Sequence, residues 1–79
     1  MTQEAPDIVR HVLHEVAPEA DLDEVGPDET LRESLDLDSI DFLNFVVGLH
    51  EATGIEIPER DYARLATIAG CADYLTRRS

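Results

Sequence analysis

The sequence predicts an all-α fold: a small four-helix bundle of three main helices plus a short third helix, with a long loop between helices I and II. Three observations carry this reading. Apolar residues recur at helical spacing in three separate stretches. Residues that start and stop helices flank those stretches. The one alternating stretch, Ile55-Glu56-Ile57, is cut short by Pro58 and has no second strand to pair with, so it reads as an extended loop. The 79 residues are enough for one domain, taken as 1–79.

The first helix runs from about Glu4 to Ala17. Ile8, Val9, Val12, Leu13 and Val16 form its apolar face, Pro6 fits the first turn, where a missing N–H costs little, and Pro18 ends it. Residues 18–38 form an acidic connection with a break at Gly26-Pro27. Its Leu22, Val25, Leu31, Leu35 and Leu37 are placed to pin it to the core, and Thr30–Leu35 to form a short helical turn. The second helix spans Ser39 to Thr53 and stops at Gly54. A short third helix covers Glu59–Arg64. Thr67 caps a fourth, whose face is Ile68, Cys71, Ala72 and Leu75, with the Tyr74 ring packed and its hydroxyl wet, and Arg77-Arg78-Ser79 at its end.

The second helix is richer in apolar residues than one buried stripe requires. Phe42, Phe45, Val46 and Leu49 are expected inside. Ile40, Leu43 and Val47 then lie on the flank beside Asp41, Asn44 and Glu51. Two readings remain open: an exposed surface for docking partners, or complete burial of these residues under the long loop.

Eighteen carboxylates against six basic residues give a formal net charge of −12. Such a surface repels nucleic acid and anionic membranes and attracts proteins with basic patches. All six basic residues are arginine, so lysine chemistry is excluded. The lone Cys71 excludes an intrachain disulfide and a multi-cysteine zinc site and reads as a small core residue. The opening MTQEAPDIVR has no long apolar run, so neither a signal peptide nor a membrane span is expected, and the default compartment is cytoplasmic.

The chemistry concentrates at Leu35-Asp36-Leu37-Asp38-Ser39-Ile40-Asp41-Phe42-Leu43. Asp38 precedes the helical pattern and Asp41 follows three residues later, the spacing of a capping box built from carboxylates. Ser39 falls in the first turn with its hydroxyl toward solvent. First-turn N–H groups lack intrahelical partners, so an anion on Ser39 would be tolerated there, although the neighbouring acids oppose it. Taken alone, Asp-Ser at a helix start is an ordinary cap.

Its surroundings are more specific. A long leucine-studded loop precedes Asp38-Ser39-Ile40, and Gly54-Ile55-Glu56-Ile57-Pro58 closes the helix it opens. Thr67-Ile68-Ala69 begins the last helix and Tyr74-Leu75 lies near its end. From about Leu31 to Leu75 this pattern resembles the acyl carrier protein family, and the first helix matches in placement. The resemblance implies a covalent phosphopantetheine arm on Ser39, with Asp38 helping a phosphopantetheinyl transferase recognise it. It implies a docking face of Ile40, Asp41, Leu43, Asn44, Val47 and Glu51. The arm would carry acyl groups as thioesters to acyl-transferring or condensing enzymes with basic docking patches. The chain itself would be a monomer without catalytic or metal-binding residues. Ile40 stands where the family usually has leucine. Asn44 and His50 stand where fatty-acid-synthesis carriers usually have glutamates, Arg60 falls in a usually acidic stretch, and Thr53 takes a place often aromatic. These departures point to a dedicated carrier of a specialised acyl pathway.

Other readings fit less well. An EF-hand begun at Asp36 would place Ile40, Asp41 and Val47 at positions that need a ligand, glycine and glutamate. Ser39 lacks a Gly-x-Ser-x-Gly elbow, and His11, His14 and His50 have no triad spacing. His11 and His14 read as surface residues. A stand-alone peptidyl or aminoacyl carrier shares the fold and the arm and is the runner-up. An unmodified acidic adaptor fits the composition but does not require Ser39.

Overall fold

The computed structural model describes residues 4–78. Four α-helices follow in order: α1 (Ala5–Val16), α2 (Leu31–Ser34), α3 (Ser39–Thr53) and α4 (Ile68–Arg78). Short 3-10 segments occur at Leu22–Glu24 and Glu59–Leu65. No strand forms among the described residues. The three long helices, the one-turn helix in the loop and the stop at Gly54 match the sequence expectation. The short third helix differs: it is 3-10 throughout and extends to Leu65. Ser79 lies outside the described residues.

Local chemistry sets these boundaries. Proline occupies the first turn of α1. Gly54 takes φ 74° at the end of α3 and donates its N–H to the His50 carbonyl at 2.7 Å, a left-handed cap that glycine adopts without steric cost. Thr67 accepts from the Gly70 N–H at 2.9 Å, as its N-cap role requires. Thr53, at the position noted as often aromatic, donates to the Leu49 carbonyl at 2.7 Å and accepts from the Ile55 N–H at 3.1 Å. It therefore fastens the end of α3 to the extended segment that follows.

Helix α1 packs against both α3 and α4. Val9, Val12 and Leu13 meet Phe45, Val46, Leu49, Ile68, Cys71, Tyr74 and Leu75 in one core. The loop closes that core with Val25, Leu31 and Leu37, all buried, while Leu22 and Leu35 pack at its edge. Two backbone bonds hold the loop against the start of α4: Leu31 N–H to the Ala66 carbonyl (2.8 Å) and Ala69 N–H to the Pro27 carbonyl (2.9 Å). An acidic segment of about twenty residues thus becomes a fixed wall of the bundle.

The junction between the second 3-10 segment and α4 is tight. A β-carbon on Gly70 would lie 2.5 Å from the Arg64 carbonyl oxygen, a backbone atom that cannot rotate away. Gly70→Ala is expected to destabilise the chain by about 2–3 kcal/mol. Urea unfolding measures this; a midpoint equal to wild type would show that the junction yields freely.

Tyr74 departs from expectation. Its ring is 1% exposed, and the hydroxyl is not in water. It donates to Asp61 Oδ2 at 2.8 Å, and Arg78 Nη2 donates to the same oxygen at 3.1 Å. The guanidinium carbons of Arg78 and Arg64 lie 4.9 and 5.5 Å from the ring centroid. Asp61 is itself buried. A hydroxyl at this depth needs an acceptor, and Asp61 supplies it.

Candidate functional site

Ser39 is the first residue of α3 and is exposed. Asp38 is the N-cap. Its Oδ1 accepts from the Asp41 N–H at 2.8 Å, and Asp41 Oδ2 accepts from the Asp38 N–H at 3.4 Å. The capping box expected from the spacing is present, with the returning bond the longer one. Just before it, Asp36 takes φ 54°, a conformation aspartate tolerates better than most residues. That kink lets the chain turn from α2 into α3. Together these features fix the backbone at Ser39 while leaving its hydroxyl open.

The Ser39 hydroxyl accepts one long hydrogen bond, from Arg32 Nη2 at 3.5 Å. Among the described residues, no histidine or carboxylate hydrogen-bonds this hydroxyl. Arg32 was not singled out from sequence, because seven residues and a turn separate it from Ser39.

The apolar flank of α3 is open. Ile40 is 70% exposed, Leu43 48% and Val47 45%. The leucines of the loop face the core, so the reading in which the loop covers this flank is wrong. Ile40, Leu43 and Val47 succeed one another at three- and four-residue steps and form one stripe. Asn44 and Glu51 are exposed beside it; Asp41 is half-buried and committed to the cap.

Phe45, Val46 and Leu49 are buried as expected, but Phe42 is only half-buried. It sits at the rim, 6.1 Å from the Phe45 ring and edge-on to Tyr62 at 6.2 Å. Phe42 and Tyr62 line a cleft of about 300 Å³ that also takes in Arg32, Ala63 and Ala66. A second cleft, of about 520 Å³, lies along the C-terminal half of α3 and brings together Val47, His50, Arg60 and Arg78. His50 Nδ1 lies 2.8 Å from the Ile55 carbonyl. A carbonyl only accepts, so Nδ1 carries the proton and Nε2 is left for solvent or a partner. The departures His50 and Arg60 therefore share one groove, which sequence spacing did not reveal.

No three metal-binding side chains converge among the described residues, and no helix there is long and apolar enough to cross a membrane. The Cys71 thiol is fully buried, 3.4 Å from the Leu65 carbonyl, and burial pushes its pKa up to about 12. It is a core residue.

Comparison with known proteins agrees with this geometry. Residues 7–75 match the family described as "Phosphopantetheine attachment site". The acyl carrier protein of Rubrobacter xylanophilus is 36% identical over 55 residues, covering 70% of this chain and 68% of that protein. The acyl carrier protein of Streptomyces coelicolor is 30% identical over 69 residues, covering 87% and 75%. A solved structure of the acyl carrier protein from Enterococcus faecalis superposes with a TM-score of 0.69 at 27% identity, over 90% of this chain and 98% of that one. The open serine at a capped helix start, the loop-walled bundle and these matches lead to one conclusion: this chain belongs to the phosphopantetheine-bearing acyl carrier protein family.

Proposed function

We propose that Ser39 is the residue that bears the arm and that this carrier serves a specialised acyl pathway. The observation that carries the first part is the exposed Ser39 hydroxyl at the start of α3, held by the Asp38–Asp41 box beside an uncovered apolar stripe. An unactivated hydroxyl is a poor nucleophile for turnover but a good acceptor for a modifying enzyme that supplies its own base. Ser39 Oγ gains a P–O bond as the pyrophosphate bond of coenzyme A breaks and the nucleotide half leaves. The arm supplies a terminal thiol that holds acyl groups as thioesters. The chain's part is to present it: α3 fixes the attachment point, and Ile40, Leu43 and Val47 offer partners an apolar contact within an acidic surround. Asp38 would serve transferase recognition by holding the turn. The protein acts as a monomeric carrier, and catalysis belongs to its partners.

The second part rests on charge. Arg60 and His50 put basic groups at one end of α3 in a protein of net charge −12, in a groove that also holds Glu56 and Arg78, the latter paired with Asp61. A partner with only a basic docking patch would meet like charge at that end. The fit is better for a partner that adds an acidic element there. Housekeeping fatty-acid-synthesis enzymes are expected to extend chains on this carrier more slowly than on their own; equal rates would overturn the specialised assignment.

Incubation with coenzyme A and a broad-specificity phosphopantetheinyl transferase is expected to add one phosphopantetheinyl group to the intact mass, and none to Ser39→Ala. Leu43→Asp should leave the thermal midpoint near wild type, because Leu43 is outside the core. It should lower transferase kcat/KM by roughly tenfold, the loss typical of a central apolar contact. Unchanged loading would remove the stripe from the docking surface.

A further inference from the structure

An arm on Ser39 brings a phosphodiester into an acidic corner. Asp36, Asp38 and Asp41 all lie within three residues of it. The capping box occupies the N–H groups of Asp38 and Asp41, which leaves those of Ser39 and Ile40 in the first turn. Across the turn from α2 stands Arg32, the one cation among the described residues that contacts Ser39. Its Nη2 is 3.5 Å from Oγ, the atom that becomes the ester oxygen. It forms no ion pair with a carboxylate among the described residues.

We propose that Arg32 is a positioning residue that binds the phosphodiester of the arm. This rests on Ser39 as the attachment residue. The phosphorus sits one bond beyond Oγ, so a non-bridging oxygen comes within reach of the guanidinium without movement of the backbone. Arginine is suited to this role: its charge is permanent, and its planar fork can meet two oxygens at once. The contact has two consequences. It offsets the repulsion between the phosphodiester and the three nearby aspartates. It also draws the root of the arm toward the α2 side of Ser39, where Arg32 borders the cleft lined by Phe42 and Tyr62.

The test compares wild type and Arg32→Gln, each before and after loading from coenzyme A with a broad-specificity transferase. Intact mass is checked first. Absence of the gain in wild type, or its presence in Ser39→Ala, would overturn the attachment reading itself. With loading confirmed, thermal midpoints are read at about 0.01 M and about 1 M salt. At low salt, loading is expected to lower the midpoint of Arg32→Gln by about 2–5 °C relative to its effect on wild type. At high salt the difference should shrink below about 1 °C. Arg32→Lys, which keeps the charge but not the fork, should fall between. A merely structural arginine would shift loaded and unloaded forms equally, and that result would overturn the proposal. In wild type, the Arg32 Nε–H signal in a proton–nitrogen NMR spectrum should move on loading; a signal that stays in place would also overturn it.

Discussion

Asp61→Ala is expected to cost about 2–3 kcal/mol and to lower the thermal midpoint by roughly 10–20 °C. The Tyr74 hydroxyl would lose its acceptor while remaining buried, and Arg78 would lose its carboxylate. Leaving a buried polar group unsatisfied costs more than a hydrogen bond normally contributes. The cost stays moderate because the Arg78 side chain is 43% exposed and can be rehydrated. The network matters for function because Asp61 belongs to the 3-10 segment that also carries Tyr62, the edge-on neighbour of Phe42 on α3. Releasing Asp61 should loosen the support of α3 from behind. In a double-mutant cycle, Tyr74→Phe should cost about 1 kcal/mol in wild type and should be neutral or stabilising once Asp61 is alanine, because it then removes an orphaned buried hydroxyl. A loss below about 0.5 kcal/mol for Asp61→Ala would show the network to be ornamental to stability.

Alkali is expected to unfold the protein well before arginine titrates. Burial favours the neutral Cys71 thiol, so the folded chain holds that proton more tightly than the unfolded chain, from an ordinary 9.0 up to about 12. The resulting stabilisation is complete below pH 9 and is lost as pH rises through 12. At pH 11 the loss from Cys71 alone is about 2–3 kcal/mol relative to pH 8. Tyr74 adds in the same direction, because burial and the bond to Asp61 raise its pKa from 10.0. These losses are large beside the 5–15 kcal/mol typical of a whole domain. Denaturant titrations at pH 8 and 11 measure the effect. Cys71→Ala should start lower, through lost packing, and show the shallower pH dependence. An identical slope in wild type and Cys71→Ala would show that the thiol does not govern alkaline stability. At pH 8 the native thiol should also resist disulfide exchange reagents until the chain unfolds.

What could be read from the sequence was local. Asp38, Asp41, Gly54 and Thr67 each act within four residues of the backbone groups they cap, and spacing alone placed α3 and the start of α4. The leucines of the long loop were legible as anchors because apolar residues in so acidic a segment have nowhere else to go. What escaped depends on contacts across the fold. Asp61 and Tyr74 are 13 residues apart, and nothing in either neighbourhood announces the pairing; Tyr74 alone reads as a half-wet aromatic. Phe42 looked like core because its spacing matches Phe45 and Leu49, yet the 3-10 segment leaves it at a rim. Thr53 and His50 looked like changes in a docking surface. Each also makes a bond within the chain, to Leu49 and Ile55 or to Ile55, so part of their departure from the family pattern concerns how α3 ends. The uncovered stripe of Ile40, Leu43 and Val47 could be posed as a choice from sequence, but only the position of the loop decided it.

The rigid and open parts of the molecule divide the work. The core around α1 and the loop bonds to Ala66 and Pro27 hold α3 in place. The first turn of α3 then presents one hydroxyl, and the rest of its outer face presents apolar contact. We propose that this hydroxyl, and no other, receives the arm. The sequence contains three serines, Ser34, Ser39 and Ser79, and Ser34 lies only five residues away with its hydroxyl donated to Glu29 at 3.0 Å. Loading from coenzyme A followed by peptide fragmentation in a mass spectrometer separates the three. The phosphopantetheinyl group is expected on Ser39 alone; an arm on Ser34 or Ser79, or an unmodified chain under conditions that load other carriers, would contradict this assignment.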